Sequence, residues 1–289
     1  MTVAFVLQGG ASLSAAQVGM LRALTEAGIR PDFVVGTSAG AINAVAFAQD
    51  PTLEGLERLR GLWSDVRRRD VFPVRLRSLA AGLTGRRSSL VASDGLRRLI
   101  ERGLQVADLR ETAIPAHAVA ADADTGEPVV LSDGPATQAV LASSTIPGLL
   151  PPVRYRGRLL IDGGVCADIP ILQAEQLGAT ESYVLPCVAG TEESLSSCAA
   201  LPAILHTVNM MIDRMTRHNL AQARGRVHLL PTPVVPGANP MDFSRGAEMI
   251  RLGLSTTRRW LAEQDSHPAE FSDEEIAYQT RLVTASASM

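Results

Sequence analysis

The first fifty residues hold one local pattern twice: a short apolar run, a glycine-bearing turn, then small apolar residues. Thr2–Leu7 runs into Gln8-Gly9-Gly10, then into Val18, Leu21, Ala23 and Leu24 at helical spacing up to Gly28. Phe33-Val34-Val35 runs into Gly36-Thr37-Ser38-Ala39-Gly40 and the segment Ala41–Gln49. Apolar runs this short suit buried strands. Strands that alternate with helices pair in parallel beneath covering helices. The expected class is α/β, with a parallel sheet covered by helices.

The strand pattern resumes at Ile114–Ala121, Pro128–Leu131, Arg158–Ile161, Glu181–Leu185 and Val227–Leu230. Helices are expected at Ala136–Ser144, Ile171–Leu177, Ala203–Arg217 and Arg245–Leu261. Residues 51–110 interrupt the alternation with helical segments around Leu53–Trp63 and Gly95–Arg102. Between Arg60 and Arg102 stand 11 Arg and 4 acidic residues, a local +7 in a chain of net charge −3. We read a single domain over 1–289, with an Arg-rich helical insertion at 51–110 and a polar tail at 263–289. Trp63, Val71, Phe72, Leu76, Leu79 and Leu83 are expected to face the domain, with the arginines in water. The competing reading has Arg60–Arg102 touching an anionic membrane surface. Met210, Met211 and Met215 are read as core rather than as the lining of an acyl pocket.

Composition removes whole reaction classes. The chain contains no lysine, which excludes Schiff-base chemistry, a Walker-A loop and a Ser–Lys dyad. A net charge of −3 gives no basis for nucleic-acid binding. The three cysteines, Cys166, Cys187 and Cys198, show no C-x-x-C spacing, so neither a disulfide framework nor a zinc site is expected. No metal or other cofactor is anticipated. The longest uncharged stretches are broken by Gly, Pro, Gln, Ser or Thr, and Met1–Leu21 has no basic residues ahead of an apolar run. The expectation is a soluble cytoplasmic protein.

Gly36-Thr37-Ser38-Ala39-Gly40 matches G-x-S-x-G, and it lies between an expected strand and an expected helix. Such a turn exposes a serine hydroxyl at a helix N-terminus, where developing negative charge is favoured. The plainer alternative makes Ser38 a helix cap. A nucleophilic serine needs a base. His117, His206, His218, His228 and His267 all lie away from expected strand ends and Gly-rich loops. Asp162 ends the Arg158–Ile161 run and is followed by Gly163-Gly164, which lets backbone approach closely. A carboxylate can act as base when it bonds the serine directly in a dry site. The alternative for Asp162-Gly163 is an ordinary tight turn.

Four ordered blocks resemble the patatin-like phospholipase family: Gly9–Leu21, Gly36–Gly40, Ala142–Gly148 running into Pro151-Pro152, and Asp162-Gly163-Gly164. The resemblance spans Val3 to about Leu230. It implies a three-layer α/β/α fold, a lipid or other acyl-ester substrate, and a Ser–Asp dyad without a catalytic histidine. By position it makes Ser38 the nucleophile and Asp162 the base, with an oxyanion hole of backbone N–H groups at Gly9, Gly10 and Ala11. Gly36, Gly40, Gly163 and Gly164 would support the two turns. The family's G-G-G-x-[RK]-G loop reads here Gly9-Gly10-Ala11-Ser12-Leu13-Ser14, and Asp168 stands where Asn is expected in many relatives. Ala11 and Ser14 matter if their φ angles are positive. Ser14 with Gln17 three residues on also fits a helix capping box. Three rivals to hydrolysis by a Ser–Asp dyad stay open: acyl transfer by the same dyad, a non-catalytic binding protein with a degenerate loop, and an α/β-hydrolase with a histidine triad.

Overall fold

The computed structural model describes residues 1–73, 89–188 and 200–266. In chain order the elements are β1 (Val3–Leu7), a 3-10 turn (Ala11–Ala15), α1 (Ala16–Glu26), β2 (Phe33–Thr37) and α2 (Ala39–Gln49). Then come α3 (Leu53–Asp65), α4 (Arg68–Val71) and α5 (Asp94–Gly103). β3 (Ala116–Asp122), β4 (Pro128–Leu131), α6 (Ala136–Ser143), β5 (Val153–Tyr155) and β6 (Arg158–Asp162) follow. The rest is α7 (Gly164–Ala167), α8 (Ile171–Gln176), β7 (Glu181–Leu185), α9 (Ala200–Gln222), β8 (Arg226–Leu229) and α10 (Gly246–Ser266). The short edge strand β5 carried no sequence signal, since it is only three residues long.

The strands form one sheet in the order β5-β6-β3-β2-β1-β7-β8, with β4 also on β3. β3, β2, β1, β7 and β8 are mutually parallel, while β4, β5 and β6 join antiparallel. The sheet is therefore parallel at its centre and antiparallel at one end. Both faces of β1 are covered, as its unbroken apolar run requires. Phe5 and Leu7 enter one core with α1, α2 and α10. Ala4 and Val6 enter the other with Ala167, Ile171 and Ala174. This is a three-layer α/β/α arrangement.

β3 has three partners but only two edges. β2 pairs with residues 116–119, β6 with 120–122, and β4 with 118–121, overlapping both. β2 and β6 therefore share one edge of β3 in succession, running toward each other. Thr37 lies opposite Val119 and Asp162 opposite Ala120, so the last residues of the two strands meet.

The helices of residues 51–110 follow their sequence. Thr52 caps α3 by accepting the Gly55 N–H at 3.1 Å. Leu56, Leu59 and Trp63 recur at i, i+3 and i+7 and are buried, with Trp63 stacked on Phe243. Val71 and Phe72 are buried while Arg67, Arg68 and Arg69 are exposed. Leu76, Leu79, Leu83, Arg75, Arg77, Arg86 and Arg87 lie outside the described residues, as do Cys198 and most of the tail. The methionine expectation needs correction: Met210 and Met211 are 53% and 68% exposed, because this stretch of α9 turns that face to solvent.

α1 and α10 cross at two glycines. A Cβ on Gly19 would stand 2.0 Å from the Ile250 carbonyl oxygen, and one on Gly253 2.1 Å from that of Ala16. Gly61 on α3 has nothing within 4 Å of the same position. Gly19→Ala is expected to cost about 1–3 kcal/mol by forcing the helices apart, while Gly61→Ala gains about 1 kcal/mol. Urea unfolding of the two variants checks both signs.

Candidate active site

Ser38 sits where β2 ends and α2 begins, at φ 55° and ψ −126°. A non-glycine residue in that region is strained and persists only where its surroundings fix it. Here the flanking glycines allow the sharp turn. A Cβ on Gly36 would meet the Gly40 carbonyl oxygen at 2.4 Å, and one on Gly40 would meet the Gln8 and Leu7 carbonyl oxygens at 2.5 Å. Ser143 adds a clamp: it accepts the Ser38 N–H at 2.9 Å and donates to the Val119 carbonyl at 2.6 Å. Thr37 donates to the Ala167 carbonyl at 2.6 Å.

The Ser38 hydroxyl donates to Asp162 Oδ2 at 2.7 Å. The side chain makes no cap bond to α2, so the capping alternative falls away. Gly163, at φ −68°, is the N-cap of α7, so the turn after Asp162 leads into a helix and not a hairpin. Gly163 fits because a Cβ there would stand 2.2 Å from the Val119 carbonyl oxygen. The Gly164 N–H donates to Asp162 Oδ1 at 2.8 Å. Ser38 and Asp162 are only 8% and 5% exposed. Burial pushes the Asp162 carboxyl up to about 6, against the opposing pull of the Ser38 and Gly164 donors.

The Gly-rich loop lies beside this pair, with the Cβ position of Gly9 3.3 Å from Ser38 Cβ. Its three candidate donors are not equivalent. The Gly9 N–H is engaged by the Asp168 carbonyl at 3.0 Å, whereas Gly10 and Ala11 have no N–H acceptor among the described residues. Ala11 has φ 49°, the strained conformation its glycine-like position foreshadowed; Ser14 does not. The Ser14–Gln17 capping box is absent. Ser14 is fully buried within the 3-10 turn, and Gln17 Nε2 donates to the Gln8 and Leu185 carbonyls at 2.8 and 3.0 Å. Leu13 packs into the core, 7% exposed.

Sequence reasoning passed over the polar chain that braces this loop. Trp63 Nε1 donates to Asn43 Oδ1 at 2.7 Å, and Asn43 Nδ2 donates to Gln17 Oε1 and the Ser14 carbonyl, each at 2.9 Å. Gln8 Nε2 donates to Asp168 Oδ2 at 2.7 Å. The available signal was a lone Asn in the Ala-rich run of α2 and a lone Gln in the apolar face of α1, since buried polar groups carry partners.

No described histidine side chain bonds Ser38 or Asp162. His117 pairs with Ser132 and is pushed down to about 4 by burial; His218 pairs with Gln222, and His228 with Glu181. His267 and the His206 side chain lie outside the described set. Burial pushes the Cys166 thiol up to about 12 and that of Cys187 higher still, so both are neutral. The described residues hold no cluster of His, Cys, Asp or Glu fit for a metal ion, and none of their helices is long and apolar enough to cross a membrane.

This geometry agrees with the relationships of the chain. The sequence profile of the patatin-like phospholipase family matches residues 5–175, which include Ser38, Asp162 and the Gly-rich loop. The chain belongs to the patatin-like phospholipase family. It is 29% identical over 232 residues to mouse patatin-like phospholipase domain-containing protein 6, covering 78% of this chain and 17% of that protein. It is 29% identical over 286 residues to lysophospholipase nte1 of Aspergillus terreus, covering 90% of this chain and 18% of that one. An NTE family protein of Mycobacterium tuberculosis is 32% identical over 173 residues, 58% of this chain and 27% of its own. The patatin-like chain thus spans less than a third of the curated relatives it matches. In fold it is similar to VipD of Legionella pneumophila, with a TM-score of 0.51 and 14% identity over 91% of this chain and 67% of that one.

Asn43→Ala would leave Trp63 Nε1 and Gln17 Oε1 buried without partners. It is expected to lower stability by about 2 kcal/mol or more, read by urea unfolding, and to slow covalent labelling of Ser38 by a fluorophosphonate.

Proposed function

We propose that this patatin-like chain is a serine acyl hydrolase acting on lipid or related acyl esters. The observation that carries the reading is the 2.7 Å bond between Ser38 Oγ and Asp162 Oδ2 at a buried strand-to-helix elbow. Asp162 takes the hydroxyl proton as Oγ attacks the ester carbonyl. A tetrahedral oxyanion forms against the backbone N–H groups of Gly10 and Ala11 and that of Ala39, the residue after the serine. Gly9 supplies no donor in this scheme; it holds the loop to Asp168. Collapse of the oxyanion expels the alcohol, which leaves with the proton held on Asp162. The resulting acyl-serine is then attacked by water, with Asp162 again as base. An alcohol acceptor in place of water would give acyl transfer with the same groups. Among the described residues the Gly10 and Ala11 N–H groups have no acceptor, which favours a working site over a degenerate binding protein.

Ser38→Ala is expected to abolish ester turnover and fluorophosphonate labelling, and Asp162→Asn to reduce kcat at least 1,000-fold (roughly the scale of losing a triad member). Full esterase activity in folded Ser38→Ala protein would refute the assignment. Turnover should rise with pH through about 6, as Asp162 loses its proton.

Stability should run the other way. A carboxyl whose folded pKa lies above its unfolded value binds more protons folded than unfolded, so stability falls as pH rises from about 4 through the folded pKa. Asp162→Asn is therefore expected to be inactive yet more stable than wild type at pH 8, by about 2–3 kcal/mol, with the gain vanishing near pH 4. Urea unfolding at the two pH values reads this directly.

A further inference from the structure

The acyl-hydrolase reading leaves the Asp168 side chain without a role, although it lies beside the dyad. Its Oδ2 accepts Gln8 Nε2 at 2.7 Å. Gln8 cannot be turned over, because its Oε1 accepts the Cys187 N–H at 3.0 Å. Oδ2 is thus an acceptor in either charge state, and any proton on this carboxyl sits on Oδ1. Oδ1 lies against Gly9, the loop residue that packs beside Ser38. A Cβ on Gly9 would stand 2.6 Å from it and 3.3 Å from Ser38 Cβ. A Cβ on Gly164 would stand 3.5 Å from it and 3.1 Å from Asp162 Oδ1. Both carboxyl groups therefore border Gly164.

Among the described residues, the groups around Asp168 bring no positive charge. They are Asp162 from β6, Asp213 from α9, the neutral Cys187 thiol after β7, and the Gln8 amide after β1. Two carboxylates this close, one of them buried and the other partly so, do not both ionise readily. Asp162 has two donors, from Ser38 and Gly164, where Asp168 has one from Gln8, so Asp162 ionises first. The ordering agrees with burial raising Asp168 to about 7 against about 6 for Asp162.

We propose that Asp168 works as a neutral acid: it keeps a proton on Oδ1, offers it as a hydrogen-bond donor to the space beside Ser38, and disables the site when it ionises. Ionisation removes a donor and adds a second negative charge where the oxyanion must form. The proposal rests on the serine acyl hydrolase reading. It predicts a site that works in a window where the two carboxyls hold one proton between them.

The test is the pH dependence of kcat/KM for a water-soluble butyrate ester between pH 5 and 9, in wild type, Asp168→Asn, Asp213→Asn and Ser38→Ala. In Asp168→Asn the amide oxygen can take the Gln8 donor, leaving the NH2 group toward the serine at every pH. Wild type is expected to fall about tenfold per pH unit above about 7, while Asp168→Asn stays near its maximum to pH 9. Asp213→Asn, on the exposed side of α9, should move the alkaline limb a few tenths of a pH unit downward, because a charge that helps hold the proton is gone. A wild-type plateau to pH 9, a fall above pH 7 that persists in Asp168→Asn, or a folded but inactive Asp168→Asn protein would each overturn the proposal. If Asp168→Asn fails to fold, the wild-type and Asp213→Asn profiles decide. Activity retained in Ser38→Ala marks failure of the acyl-hydrolase reading itself; activity lost there with a flat wild-type profile marks failure of the Asp168 role alone.

Discussion

Two strands that run toward each other along one edge of β3 determine where everything else in the site can be. β2 arrives parallel to β3 and stops at Thr37; β6 arrives antiparallel and stops at Asp162, one register position further on. Backbone pairing, not side-chain choice, delivers the serine and the aspartate to the same place. The Ser143 clamp reinforces this, since it ties the Ser38 N–H to the Val119 carbonyl of the strand that organises both.

Holding that contact works against the stability of the fold. Ser38 and Ala11 both occupy left-handed backbone conformations without being glycine. Asp162 is kept in a dry environment that disfavours its charged form. Such strain survives because the surroundings over-determine it. Three glycines leave no room for a different turn, and a run of hydrogen bonds from Trp63 through Asn43 and Gln17 fixes the floor under the Gly-rich loop. Two nearby layers thus carry opposite tendencies, one tight and satisfied, the other strained.

The repeated strand–turn–helix units were legible because their apolar runs and glycines are local signals. Ser38 and Asp162 were legible for the same reason, each lying at the end of a run with glycines after it. The antiparallel end of the sheet was not: Val153-Arg154-Tyr155 alternates over too few residues to register as a strand. Met210 and Met211 were misplaced because apolarity implies burial only when something packs on that face. Ser14 and Gln17 have the spacing of a capping box, yet tertiary acceptors at Gln8 and Leu185 claim the glutamine. The inequality of Gly9, Gly10 and Ala11 depends on the Asp168 carbonyl, 159 positions away from Gly9, which no local pattern reports.

The glycine crossing of α1 and α10 reaches further than helix packing. The family match ends at residue 175, but α10 begins at Gly246, and β7, which forms one whole flank of β1, begins at Glu181. α1 is the direct continuation of the Gly-rich loop, so the position of that loop is held from behind by a helix encoded beyond the recognisable motifs. The stretch that carries the family motifs and the stretch that folds as a unit are therefore different lengths of chain. Grafting or trimming guided by motif boundaries would leave Ser38 in place and remove what holds its neighbours.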